Sequence, residues 1–158
     1  MNKKQLIVAW FLLLSTLGNM YVLADNKATP EPNEWGGDLV VVDSEHPIDA
    51  ALSECWKDTG VTAELVDCLK EAYAKWEAEM DKYYVLLIGV LDKDSKKRLE
   101  RSQKAWIKFR DSSFEFIPLY FQDIGSYQRP TIWCDKVRII RVRALDLKRY
   151  YLVIKAGQ

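Results

Sequence analysis

The side chains able to do chemistry in this 158-residue chain are few and widely spaced. Glu77 and Asp81 stand four apart, which on a helix puts two carboxylates on one face, as a general acid and base would require. Acids at that spacing are also ordinary on long solvated helices. No Gly-x-Ser-x-Gly, no His-Glu-x-x-His and no phosphate-cradling loop accompanies them. The one histidine, His46, ends a polar segment, where a cap or a solvated ring is its usual role. Cys55, Cys68 and Cys134 lack the close Cys-x-x-Cys spacing and the histidines of a redox or metal pair. No enzyme, no cofactor and no metal site is expected.

The most specific run is Gln103-x-x-Trp106-x-x-x-Arg110-Asp111. At about 100° per residue, Leu99, Trp106, Ser113, Ile117 and Phe121 fall on one side of a helix, with Gln103 and Arg110 among them. A guanidinium keeps its proton, so one facing a core needs acceptors to offset its desolvation. The expectation is a buried Arg110 held by Glu77 and Asp81 of the preceding helix, with Gln103 adding a neutral hydrogen bond. These five residues (Gln103, Trp106, Arg110, Glu77 and Asp81) then form a structural polar network rather than a catalytic one.

The elements that must position them follow from periodicity. Pro47 opens a short helix through Cys55 and Trp56, closed by Asp58-Thr59-Gly60. Thr62 caps a helix to about Leu91, on which Leu65, Leu69, Ala72, Trp76, Met80, Tyr83, Tyr84, Leu87, Val90 and Leu91 share one core-facing arc. Asp92-Lys93-Asp94-Ser95 is a tight connection, with Asp94 or Ser95 as the next cap. The third helix reaches about Tyr120, with Pro118 expected to kink it or end it near Ile117. Gln122 to Pro130 reads as a loop, and a last helix starts near Thr131 with Trp133, Val137, Ile140, Ala144, Leu147 and Tyr151 in phase. One short and three long helices make an all-α, small antiparallel bundle. Cys55 and Cys68, with twelve residues between them, read as a disulfide across the first helical corner, leaving Cys134 as a free thiol.

Ahead of this bundle the chain reads as an export signal and a tether. Lys3 and Lys4 precede the apolar stretch Leu6 to Leu14, and Val22-Leu23-Ala24 offers a peptidase site before Asp25. Residues 1–24 are therefore expected to be a signal peptide and the destination periplasmic or secreted. An uncleaved anchor over Leu6–Ala24 would barely span a bilayer, and no cysteine follows to take a lipid. Residues 25–46 carry the prolines, glycines and acids of a linker, apart from the β-prone Leu39-Val40-Val41-Val42. The helical domain then occupies 47–155. The mature formal charge of −2 hides an asymmetry: residues 25–50 carry −6 and residues 129–158 carry +6. The basic strip reads as a solvated helix face, and no nucleic-acid partner is expected.

From Cys55 to Tyr151 the residues resemble the LprI-type lysozyme inhibitors and their periplasmic relatives. The resemblance is carried by the Cys55/Cys68 spacing and by Trp76-Glu77-Ala78-Glu79-Met80-Asp81 with Tyr84. Gln103-x-x-Trp106 with Phe109-Arg110-Asp111, and Arg143-Ala144-x-x-Leu147, complete it. Asp81 stands where relatives often have asparagine. Phe114 stands where many carry a cysteine bonded to the last helix, so Cys134 has lost that partner. The resemblance implies a protein partner, a lysozyme or other cell-wall hydrolase, blocked by plugging a cleft that holds two carboxylates. Ser126, Tyr127 and Arg129, in the stretch after Gly125, are the partner-binding candidates it implies. The acidic segment before Pro47 would steer association with a basic lysozyme. An immunity protein against a wall-degrading toxin, or an envelope scaffold, would need the same kind of small rigid binder.

Overall fold

The structure is a computed structural model that describes residues 45–57 and 59–158. The expected signal peptide, linker and Leu39–Val42 segment lie outside the described residues. Four α-helices follow one another: α1 (Pro47–Lys57), α2 (Thr62–Val90), α3 (Lys93–Tyr120) and α4 (Gln128–Ala156), with one 3-10 turn at Gly125–Tyr127 before α4. The described residues contain no strand.

α2 and α4 form the core. Leu69, Trp76 and Leu87 on α2 meet Val137, Ile140 and Leu147 on α4, all at most 1% exposed. Their spacings of three and four keep each set on one face, so two long helices bury a continuous seam. Leu52 of α1 closes one side of the same cluster. Edge contacts set the directions. Tyr73 packs on Trp133 near the start of α4, and Tyr83 packs on Tyr151 near its end, so α2 and α4 run the same way. Gln103 of α3 reaches Met80, while Phe114 reaches Tyr73, so α3 runs antiparallel to α2. The topology is up, down, up. α3 attaches through long side chains and fully buries only Gln103 and Ile117.

The helix ends depart from the sequence expectations in instructive ways. Thr62 is the first residue of α2 rather than its cap: Val61 occupies the cap position without a side-chain bond, and Thr59 Oγ1 donates to Glu64 at 2.6 Å instead. Asp92, not Asp94 or Ser95, caps α3, accepting from the amides of Asp94 (2.9 Å) and Ser95 (3.0 Å) and from the Ser95 hydroxyl. A carboxylate one residue earlier takes both free amides at once. α3 continues through Pro118 to Tyr120, because a proline in the last turn removes little of the helix's hydrogen bonding. The loop is shorter than expected, since α4 begins at Gln128 rather than Thr131.

The cap gives a pH prediction. Hydrogen bonds from Ser95 and Asp94 hold the Asp92 carboxyl down at about 2, against an ordinary 3.8. A depressed folded pKa contributes stability that is present above the ordinary value and lost as pH falls through the folded one. Asp92→Asn keeps a capping oxygen without the titration. Its urea midpoint should therefore fall less steeply than wild type between pH 4 and pH 2. An identical acid limb would remove Asp92 as a contributor.

The corner between α1 and α2 is closed by a Cys55–Cys68 disulfide, with Cα atoms 6.0 Å apart. Cys134 is a free, buried thiol, 1% exposed. Burial, and secondarily Asp135, pushes its pKa up to about 12, so it is a weak nucleophile in the folded protein.

Candidate functional site

Residues from three helices meet around Trp106. Because α3 runs against α2 and α4 together, its Gln103-Trp106-Arg110 face looks into the groove between them. Gln103 is 8% exposed, and its carbonyl accepts from Arg143 Nε (2.9 Å) and Nη2 (2.8 Å). Its amide nitrogen donates to Met80 Sδ at 3.7 Å. The half-buried Trp106 ring lies 5.6 Å from the Arg110 guanidinium carbon and 5.8 Å from that of Arg143. Both are cation–π distances. Burial lowers the pKa of Arg143, as expected for a cation drawn toward a core.

Arg110 does not occupy the buried position expected of it. Its side chain keeps 21% of its surface, and it bonds mainly to its own neighbour: Nε and Nη2 lie 2.8 and 2.7 Å from Asp111 Oδ1. Glu77 is more distant, at 4.0 Å. Asp81 is exposed and forms no ion pair with Arg110 among the described residues. The wheel placed the Cα atom correctly, but α3 stands off far enough for a long side chain to carry its charge out to solvent. Gln103 accordingly serves Arg143 rather than Arg110. Tyr73 extends the patch, its hydroxyl donating to Glu77 at 3.4 Å. Its phenol pKa is raised, first by desolvation and then by the Glu77 charge.

A partly exposed pair is worth little, so Arg110→Ala should cost at most about 1 kcal/mol. Urea melts against wild type measure this directly. A loss of about 3–5 kcal/mol would mean that Arg110 is a buried ion after all.

The buried guanidinium is Arg141, which the sequence reading missed. Its side chain is 9% exposed, and its Nε and Nη2 both lie 2.8 Å from Oδ2 of Asp49, which is fully buried. Asp49 Oδ1 accepts from Trp76 Nε1 at 3.1 Å. The Arg141 guanidinium carbon lies 5.4 Å from the Trp76 ring centre, and His46 stacks on that ring at 4.2 Å. One carboxylate thus ties α1, α2 and α4 together. The signal was available: Arg141 sits four residues after Val137 and three before Ala144, in phase with the α4 seam. It was hidden by reading the basic strip as uniformly solvated.

Ser126, Tyr127 and Arg129 are all exposed, at the junction of α3 and α4. Gly125 has φ of +64°, a left-handed turn that glycine adopts without strain. Thr131 Oγ1 then donates to the Tyr127 carbonyl at 2.8 Å, so the stretch winds straight into α4 instead of protruding. These residues form no part of the Gln103–Arg143 network. Among the described residues no group of three or more His, Cys, Asp or Glu side chains is placed to hold a metal ion. No described helix is long and apolar enough to cross a membrane.

Comparison with known proteins bears on what this surface is for. A family model described as "Lysozyme inhibitor LprI" matches residues 55–147, the span from the corner disulfide to the end of the α2–α4 seam. An uncharacterised protein of Escherichia coli strain K12, YecT, is 32% identical over 112 residues, covering 61% of this chain and 67% of that protein. No solved structure matches significantly.

Proposed function

Because the chain belongs to the LprI lysozyme inhibitor family, we propose that it is an extracytoplasmic binding protein that occludes a cell-wall hydrolase. The family match over residues 55–147 is the observation that carries this reading, since it spans the bundle and both of its polar clusters. The corner disulfide suits an oxidising compartment. The architecture suits a binder that works by shape: a stapled corner, a buried ion pair and a dry α2–α4 seam hold the surface in one conformation before binding. In this reading Ser126, Tyr127 and Arg129 are contact residues, presented by the rigid start of α4.

The test is a wall-lysis assay with a panel of purified lysozymes. Excess protein should slow lysis by at least one of them, and a Ser126→Ala, Tyr127→Ala, Arg129→Ala triple variant should inhibit less well while melting like wild type. If no lysozyme is slowed, and a toxin encoded beside this chain is instead bound and silenced, the protein is an immunity protein.

A further inference from the structure

The largest apolar feature left uncovered lies beside the contact residues just named, in a groove between α3 and α4. Phe109, Phe116 and Tyr120, spaced seven and four apart, form one stripe of α3 and are 58%, 60% and 70% exposed. Phe116 and Tyr120 lie 6.1 Å apart by ring centre, and Tyr120 meets Phe121 edge-on at 4.9 Å. The stripe forms one wall of an open groove of about 310 Å³, whose other wall is Ile139 with the paired Asp135 and Arg138 of α4. Rings exposed this far, next to a fixed pocket, are the composition of an interface centre rather than of a solvated face.

Charge selects what covers it. The molecule is bipolar: residues 45–92, holding α1 and α2, carry a formal −7, whereas residues 93–158, holding α3 and α4, carry +9. The aromatic groove belongs wholly to the basic half. A second copy docking by two-fold symmetry would set basic surface against basic surface, which charge complementarity disfavours. An occupant with acidic groups fits. Glycoside hydrolases that cut wall polymers place two carboxylates in a concave cleft. A convex, ring-bearing, cationic edge complements that cleft in both shape and sign.

We infer that the α3–α4 groove edge, with Phe116 and Tyr120 as anchors, is the surface that enters the carboxylate-lined cleft of a wall hydrolase. This rests on the hydrolase reading above and extends it from Tyr127 along α3. Titration calorimetry with a lysozyme that the wild type inhibits provides the test. Phe116→Ser with Tyr120→Ser removes the anchors from exposed positions, so the fold should be kept, as checked by its melt. Val85→Ser, a 66% exposed position on α2, is the control.

The expected result is more than tenfold weaker binding for the double variant, the scale of hot-spot truncation, with Val85→Ser unchanged. Wild-type affinity should also fall as salt is raised. Undiminished binding by a folded double variant would overturn the groove assignment and leave the hydrolase reading standing. A wild type that binds none of the lysozymes would remove that reading and this one with it. A wild-type dimer that the double variant abolishes would show that a second copy occupies the groove, and would also overturn the assignment.

Discussion

Asp49→Ala should lower stability by about 3–5 kcal/mol, because it leaves the Arg141 guanidinium buried without its carboxylate. Domains of this size are stable by about 5–15 kcal/mol, so the variant should be near the edge of folding at ambient temperature. Two donors besides the salt bridge depend on that carboxylate. Trp76 Nε1 would be left in the core without its acceptor, and Arg141 Nε would lose its second bond. Arg141→Ala should be similarly harmful, since it strands the fully buried Asp49. Replacing both by apolar residues of similar shape, Asp49→Leu with Arg141→Met, should cost less than the sum of the two single changes, because neither charge remains to be desolvated. Urea unfolding of the four proteins completes the cycle. Additive losses would mean that the two groups do not act as a pair.

Cys55→Ser should cost about 3 kcal/mol, the chain-entropy value for a loop of this length. The loss should be local as well as global. α1 is held to the bundle by the disulfide at one end and by Asp49 at the other, so hydrogen exchange should rise in residues 47–57 before the α2–α4 seam is affected. Non-reducing peptide mapping of the wild type should join Cys55 to Cys68, with Cys134 alkylated only after unfolding. A Cys55→Ser variant that melts like wild type, with α1 equally protected, would show that the staple adds nothing.

The fold was legible because its helices are long and their apolar phases regular. Leu69, Trp76 and Leu87, like Val137, Ile140 and Leu147, repeat over enough turns that sequence phase and burial agree. Helix ends were less legible, since they turn on which side chain reaches a free amide first. Asp92 and Ser95 are both good caps, and only the backbone direction at Asp92 decides between them. The arginines illustrate the deeper limit. Arg110 and Arg141 both sit in phase with an apolar stripe, and phase alone cannot say how closely the neighbouring helix approaches. α4 packs tightly enough on α1 and α2 to trap a guanidinium. α3 stands off and lets one escape to solvent. The aromatic groove was unmarked for the same reason: Phe109, Phe116 and Tyr120 border the core stripe and read as its flank until α4 leaves them uncovered.

The central claim is that the protein acts on the hydrolase rather than on the wall, and one measurement separates the two. Lysozyme hydrolysis of a short soluble oligosaccharide should be followed with increasing amounts of the intact protein, beside lysis of whole walls. Occlusion of the cleft predicts that both activities fall together, with KM for the soluble substrate rising and kcat held. Lysis that slows while soluble-substrate hydrolysis is untouched would place the protein on the wall, and would contradict the account.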